Sequence, residues 1–135
     1  MKNENSNHQL RISIDLHALK DHEFTAQLSL RYKANPSLGL PHFRSASVAV
    51  PNARVEIQLR DCFQSGYFQA SAADMKGRLS QSVEVELWHT DRLKSDTLLG
   101  RVKVDLESLL DQPLRTTSES YARVLDAYLP IDEVN

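Results

Sequence analysis

Apolar and polar residues alternate strictly in the first third of the chain, and this alternation predicts two β-strands. Four apolar residues alternate with polar ones from Leu10 to Leu16, and the same pattern returns from Phe24 to Tyr32. Successive side chains of a strand point to opposite faces, so each strand would bury one face and leave the other in water. Two such strands joined by a short polar connection favour an antiparallel sheet.

The middle of the chain is less regular. Pro36, Pro41 and Pro51 interrupt it, and proline cannot donate a hydrogen bond to a ladder. Shorter alternations and aromatic residues nevertheless predict further elements around these prolines. These are an edge strand at 45–50, strands at 55–59 and 63–70, and a polar connection at 71–82 with room for a helix.

Residues 83–106, VEVELWHTDRLKSDTLLGRVKVDL, carry the most informative pattern in the chain. Val83, Val85 and Leu87 alternate with glutamates and predict one strand. A charged loop at 89–96 follows, and a second alternation leads from Leu98-Leu99-Gly100 to a strand that ends near Leu106.

The last part of the chain predicts a short helix and a closing strand. Residues 105–110 form the helix, because Asp105 can cap its start and Pro113 stops it. Alternation over 121–129 predicts the last strand. The fold class is therefore all-β, an antiparallel β-sandwich of about eight strands with one short helix. We expect a flexible N-terminal tail at 1–8 and one sandwich domain at 9–135.

Composition indicates a single soluble domain. The chain has 135 residues, of which 41% are hydrophobic and 25% charged, as in ordinary globular proteins. Its formal net charge of −2 gives no reason to expect a nucleic-acid partner. It has no long apolar run, and residues 1–9 are polar and unlike a signal peptide, so we expect no membrane insertion. The single cysteine, Cys62, excludes an internal disulfide and fits a reducing, cytoplasmic compartment.

Three stretches resemble C2 domains: SIDLHAL at 13–19, LSLRY at 28–32 and VELWHTDRLKSDTLLG at 85–100. In C2 domains a strand that ends in acidic residues leads through an exposed loop into a Leu-Gly strand. The stretches resemble in particular the second C2 domain of a centriolar protein. The resemblance implies a C2-type sandwich that acts without catalysis and supports centriole assembly and elongation. Its partner would be tubulin or another centriolar protein, and the isolated domain would be a monomer.

The loop that binds calcium in many C2 domains looks degenerate in this chain. Calcium takes six to eight oxygen ligands, most of them anionic. His89 stands where the first carboxylate of the usual Asp-x-Asp pair is expected, and imidazole is a poor ligand for hard cations. Asp91 and Asp96 remain in this loop, and Asp21 lies in the other. We therefore predict no metal and no cofactor.

Basic residues on the wet faces of two strands are the candidate partner-binding residues. These are Arg31 and Lys33 on the second strand and Arg101 and Lys103 on the strand after the charged loop. A basic surface attracts an acidic protein such as tubulin and an anionic phospholipid alike. A calcium-independent phospholipid-binding domain is therefore the alternative function, and a purely structural spacer is the third.

The sequence offers no catalytic motif. Its histidines show no metal-ligand spacing, and no phosphate-binding or nucleophile signature occurs. His17, His22 and His89 could converge at one end of a sandwich, although isolated surface histidines are the simpler interpretation. Cys62 has no base beside it in the sequence and is interpreted as an inert, half-buried thiol. We expect no enzyme activity.

Overall fold

The segments with alternating apolar and polar residues form strands, and these strands pair into the two sheets of a sandwich. The computed structural model describes residues 7–90, 93–116 and 121–134. Within these ranges the strands, in chain order, are β1 (His8–Asp15), β2 (Ala18–Leu19), β3 (Gln27–Tyr32), β4 (Phe43–Arg44), β5 (Val48–Ala49), β6 (Ile57–Gln58), β7 (Phe63–Ala70), β8 (Val83–His89), β9 (Thr97–Val104), β10 (Arg115–Thr116), β11 (Tyr121–Ala122) and β12 (Asp132–Glu133). One α-helix, α1 (Ala72–Leu79), and two 3-10 helices, Pro36–Leu38 and Leu106–Asp111, complete the described elements.

The larger sheet contains six of the described strands. Its order is β12-β9-β8-β3-β4. Both β4 and β5 pair with β3, β4 at residues 31–32 and β5 at residues 27–28. All pairs are antiparallel, and β8 and β9 form the longest ladder of this sheet, with Val85 opposite Val102. The side chains of β8 alternate as predicted, since Val83, Val85 and Leu87 are buried while Glu84 is exposed.

The smaller sheet is one bent pair of strands. β1 pairs with β7 from His8 opposite Ala70 to Asp15 opposite Phe63. β2 and β6 continue this ladder after a bulge. The Leu16 N–H donates to Cys62 O at 2.9 Å and the Leu59 N–H to His17 O at 2.7 Å, so Arg60 and Asp61 loop out between them. Asp61 has a positive φ of 57°, which aspartate tolerates in such bulges.

The core lies between the two sheets. Ile12 and Ile14 of β1 face Leu28, Leu30 and Tyr32 of β3 and the apolar face of β8, and they belong to one buried cluster. Leu38 and Leu40 enter the same cluster from the proline-containing connection. Apolar burial on facing sheets is the main favourable term in such a fold. The predicted all-β sandwich is confirmed.

The short elements agree with their local sequence. The Asp105 side chain accepts a hydrogen bond from the Glu107 N–H at 3.1 Å, so it caps the predicted helix, which is a 3-10 helix over Leu106–Asp111. The polar connection after β7 forms α1, and the Ser71 side chain caps it by accepting from the Asp74 N–H at 3.2 Å. Both caps satisfy backbone N–H groups that lack an intrahelical partner.

Several predicted boundaries differ from the structure, among them that of the predicted edge strand at 45–50, of which only β5 is a strand. β1 begins at His8, inside the predicted tail, of which 1–6 lie outside the described residues. The alternation at 55–59 yields a strand of only two residues, β6. The predicted closing strand at 121–129 is wrong: β11 covers two residues and pairs with β10, and 123–131 runs without a ladder. Alternation makes a strand only where a neighbouring strand supplies hydrogen-bond partners, and that stretch has none among the described residues.

Candidate functional site

Arg31 lies on the outer face of the larger sheet, but its side chain is engaged. Its guanidinium contacts Asp96 at 2.5 Å and lies over the Trp88 ring, 4.8 Å from the centroid. The Trp88 indole N–H donates to Glu86 Oε1 at 3.3 Å, which fixes the ring beneath the arginine. Only 14% of the Arg31 side chain is exposed. Arg31 therefore fastens the charged loop to the sheet and offers little surface to a partner.

The other three predicted binding residues are exposed on the same sheet. Arg101 pairs with Glu84 at 3.1 Å, and Lys103 lies directly opposite Glu84 in the β8–β9 register. Within the described ranges, neither Lys33 nor Lys103 has a carboxylate at ion-pair distance. These two lysines are the candidate residues whose charge is available.

A polar groove of about 420 Å³ brings two of these residues together. Lys33 lines one side, and Arg101 lines the other together with Glu84 and Glu86. The connection before β8 contributes Gln81 and Ser82 at one end. Because basic and acidic side chains alternate across the strands, the groove matches a partner that carries both charges better than a uniformly anionic one.

The degenerate calcium positions that the structure describes form no metal-binding group. Asp96 is bound by Arg31 and lies 3.5 Å from Arg44 Nη2, so its charge is already compensated by two arginines. His89 ends β8, with Leu28 and Thr97 as its neighbours in the sheet. Asp21 is exposed in a turn with φ 51°, and Asp91 lies outside the described residues. The described part of the chain brings no three histidine, cysteine or acidic side chains into a metal-binding group.

The histidines considered for a cluster have different local roles. His22 is buried, at 3% exposure; its Nδ1 accepts from the Phe24 N–H at 3.1 Å and its Nε2 contacts Val55 O at 3.0 Å. These two contacts assign the neutral imidazole with the proton on Nε2. His17 is exposed and lies 3.7 Å from Asp15. His22 thus joins two loops, a role that its place in the sequence did not reveal.

The thiol of Cys62 is buried beside the bulge. Burial raises the pKa of the Cys62 thiol, and the negative charges of Asp15 and Asp61 raise it further. A raised pKa keeps the thiol protonated near neutral pH, and the thiol is the weakly nucleophilic form. The surroundings of Cys62 therefore favour the predicted inert thiol.

A second groove lies between the sheets, and the sequence patterns did not predict it. It has a volume of about 770 Å³. Its floor consists of apolar side chains from β8 and β9, its near wall is the end of β1 with the turn that follows, and residues 124–131 form its far wall. A groove of this kind arises from packing between residues that are distant in the sequence, so local alternation could not predict it.

Fold and surface together define a β-sandwich with exposed grooves and a charged sheet face. Among the described residues, every helix is too short or too polar to cross a bilayer. The chain matches no model of a known protein family. It is 29% identical over 114 residues to the centrosomal protein of 120 kDa of Mus musculus and equally to that of Bos taurus. The match covers 78% of this chain and 11% of each relative.

This similarity supports the resemblance noted in the three stretches at 13–19, 28–32 and 85–100. The chain spans about a tenth of the length of the relatives it matches, since the match covers 11% of each. The C2 assignment itself remains a prediction.

Proposed function

We propose that this chain is a non-catalytic, calcium-independent C2-type interaction module of a centriolar protein. It would act at the centrosome and support centriole assembly and elongation by binding tubulin or another centriolar protein. The observation that carries this proposal is the similarity to the centrosomal protein of 120 kDa, which covers 78% of the chain. A match of that extent includes strands of both sheets, so it rests on more than one short motif.

The charged face of the larger sheet supports protein recognition. Lys33 and Lys103 are exposed on it without a carboxylate partner among the described residues, and the groove beside Lys33 also carries Glu84 and Glu86. Mixed charge of this kind gives specificity between proteins. Binding to an anionic bilayer would instead favour a surface of one sign, with each basic residue contributing about 1 kcal/mol.

The position of Asp96 supports calcium independence. Calcium at the charged loop would need this carboxylate, and Arg31 occupies it at 2.5 Å. Binding the ion would break that pair and leave the half-buried guanidinium uncompensated. We expect the melting temperature to be the same in excess calcium as in a chelator. An increase of several degrees in calcium would contradict this part of the proposal, since ligands of the folded state stabilise it by mass action.

Co-sedimentation with microtubules tests the proposed partner. Lys33→Glu and Lys103→Glu together change the charge of the larger sheet's face by about four units, and we expect them to weaken binding about tenfold or more. Arg60→Glu changes the charge by about two units and is the matched control for Lys33→Glu or Lys103→Glu alone, because Arg60 is exposed in the bulge of the smaller sheet. Equal loss in Arg60→Glu and in either single lysine variant would indicate a non-specific charge effect. Absence of binding by the wild-type chain would exclude tubulin and leave another centriolar protein.

Anionic liposomes test the alternative. Lipid recognition predicts sedimentation with phosphoinositide-containing vesicles that falls steeply with salt. We expect none at physiological ionic strength. A spacer domain would bind neither vesicles nor microtubules, and would affect centriole assembly only when it is deleted from the protein that contains it.

A further inference from the structure

The two sheets differ in width, and the smaller one leaves part of the larger one uncovered. Val85 and Val102 lie opposite each other on neighbouring strands, yet Val85 is only 2% exposed while Val102 is half-buried. Val104 is half-buried in the same way. The pair β1–β7 covers β3 and β8 but stops short of β9. In the described part of the chain, the inner face of β9 is therefore an apolar surface without a strand above it.

The larger groove lies over this uncovered surface and beside β1. Val102, Val104 and Leu87 line its floor, and Ser13 and Asp15 line its near wall. A volume of about 770 Å³ is large enough for several extended residues. On the far side, Val124 and Leu129 of the segment 124–131 remain 43% and 38% exposed.

The free edge of β1 faces this groove. The Leu16 N–H donates to Cys62 O, and in an antiparallel ladder hydrogen-bonded residues alternate with residues that are not. The even-numbered residues of β1 therefore form the backbone hydrogen bonds with β7. The backbone groups of Arg11, Ser13 and Asp15 consequently point away from β7. In the described part of the chain, β1 pairs with β7 alone, and no other backbone hydrogen bond reaches these three residues.

The opposite edge of the small sheet is not available in the same way. The 3-10 turn that ends at Gly39 lies against the backbone of Tyr67 in β7, so closely that a Cβ on Gly39 would lie 2.0 Å from Tyr67 O. Gly39 has a positive φ of 65°, which glycine adopts without strain. This turn covers the outer edge of β7 at its middle. Among the described strands of the smaller sheet, β1 is the one whose edge stays open along its length.

We propose that the groove binds an extended segment of a partner protein, which adds a strand to the edge of β1. Its backbone would pair with Arg11, Ser13 and Asp15, and its alternate apolar side chains would cover Val102 and Val104. Exposed strand edges are common sites of this kind of recognition, in which main-chain hydrogen bonds give affinity and alternate side chains give specificity. The inference rests on the proposed function only in treating the chain as an interaction module.

Other occupants fit the groove less well. The position beside β1 lies above β9, so a second copy that paired through its own β1 would bring its larger sheet into collision with this one. The chain's own segment 124–131 is held as the far wall, because the Tyr128 hydroxyl donates to Glu56 at 2.9 Å and Lys20 Nζ lies 3.8 Å from the Tyr128 ring centroid. A separate strand avoids both obstacles.

The charge of the groove selects a basic partner. Asp15, Asp21 and Asp126 line it, against one lysine, Lys20. The hydrogen bond to Glu56 raises the pKa of the Tyr128 hydroxyl, and the nearby charges of Asp126 and Asp21 raise it further, as expected in a negative field. The partner strand would therefore alternate apolar residues with lysine or arginine.

The test uses the peptide KVRVKVRVK, acetylated, amidated and fluorescently labelled, with binding measured by anisotropy. We expect saturable binding to the wild-type chain. One further peptide carries N-methyl groups on the backbone nitrogens of its lysine and arginine residues, and another carries them on those of its valine residues. The methyl groups of each peptide block the N–H groups along one edge of the strand. One of them should bind at least about tenfold more weakly and the other close to normally, because only one edge pairs with β1. Equal binding of both would overturn the proposal and indicate charge attraction alone.

A pair of variants at Ser13 tests the same edge from the protein side. Ser13→Pro removes the outward N–H, which does not serve the ladder with β7, and we expect about tenfold weaker binding. Ser13→Ala is the control, since both variants lose the 2.8 Å contact between the Ser13 and Ser65 hydroxyls while alanine keeps the N–H. Equal affinity of the two folded variants would overturn the proposal.

Amide exchange gives a readout that needs no variant. The Arg11 and Ser13 amides should exchange rapidly in the free chain and slowly with the KVRVKVRVK peptide, whereas the Ile12 amide should be protected in both states. Protection of Arg11 and Ser13 in the free chain would mean that another segment already pairs there, and would overturn the proposal. Since no step uses tubulin or centrosomes, failure here leaves the proposed function to its own experiment.

Discussion

The six-stranded sheet and the two-stranded sheet of this sandwich differ in how their strands are supported. In the larger sheet β8 has a neighbour on each side, β3 and β9, and its inward side chains are 1–5% exposed. In the smaller sheet β1 has a described strand on one side only, although its inward residues Ile12 and Ile14 are buried as well. Burial of a face and completion of an edge are therefore independent properties of a strand.

This difference locates where each sheet can act. The larger sheet has satisfied backbone groups at its centre, so the centre of its outer face can recognise a partner only through side chains. The smaller sheet exposes backbone groups along β1, and such groups can recognise any strand that brings a suitable side-chain pattern. Charge on one sheet and an open edge on the other give the molecule two distinct surfaces.

Two matched valine-to-alanine substitutions should give the largest difference in stability between the covered and uncovered parts of the larger sheet. Val85→Ala removes two methyl groups from a 2% exposed site, and we expect a loss of about 2.5 kcal/mol in the free energy of unfolding. Val102→Ala, opposite it on β9, should cost only about 1 kcal/mol, because its side chain is half-buried and borders the groove. Urea denaturation measures both values. Equal costs would mean that β9 is covered after all.

The sequence predicted the parts of this comparison that depend on local pattern. Alternation located β1, β3 and β8 and identified their buried faces, because the position of a side chain on a strand depends only on its neighbours in the chain. The cap at Asp105 and the stop at Pro113 located the short helix after β9, because these signals are local as well. The same rule of alternation failed at 123–129, where the alternation continues but no described strand pairs with the chain.

What the sequence could not predict depends on pairing between distant residues. Arg31 and Asp96 are 65 positions apart, so nothing local indicated that the candidate binding residue and the candidate calcium ligand neutralise each other. The groove is equally non-local, since β1, β9 and the segment 124–131 meet only in the folded chain. Lys33 and Lys103, in contrast, are exposed as strand alternation predicted.

Substitution of His22 measures how much its side chain stabilises the bent end of the smaller sheet, where the β2–β6 ladder is only two residues long. His22→Ala would leave the Phe24 N–H and the Val55 carbonyl without their partner, and we expect a loss of about 2 kcal/mol in the free energy of unfolding. His17→Ala is the control: its side chain is 69% exposed, so the change should stay within about 0.5 kcal/mol. A neutral His22→Ala would show that the backbone ladder suffices.

Tyr32 joins the two sheets, because its hydroxyl on β3 donates to Gln64 Oε1 on β7 at 2.7 Å. Burial raises the pKa of Tyr32 from 10.0 to about 12. Between these values the unfolded chain has released this proton while the folded chain keeps it, so stability falls as pH rises. At pH 11 the loss should be about 1.4 kcal/mol relative to neutral pH.

The variant Tyr32→Phe isolates this contribution. It should be less stable at neutral pH by about 1 kcal/mol, because the hydrogen bond to Gln64 is lost, but its stability should fall less between pH 10 and 12. Chemical denaturation at several pH values measures the difference between the two proteins, in which the titration of lysines and other tyrosines cancels. Parallel pH profiles would contradict the assigned role of Tyr32.

Two arginines of the larger sheet's outer face provide the smallest and most specific contrast. The Arg31 side chain is 14% exposed between Asp96 and Trp88, whereas the Arg101 side chain is 47% exposed and its partner Glu84 54%. Water screens the second pair, so Arg101→Ala should cost no more than about 0.3 kcal/mol, while Arg31→Ala should cost about 1 kcal/mol. Arg31→Ala should also change the emission of Trp88, the single tryptophan, because the cation over its ring is removed. If both variants had the same stability and the same Trp88 emission, the Arg31 side chain would be available to a partner. The binding face would then extend from Lys33 across Arg31 to Arg101.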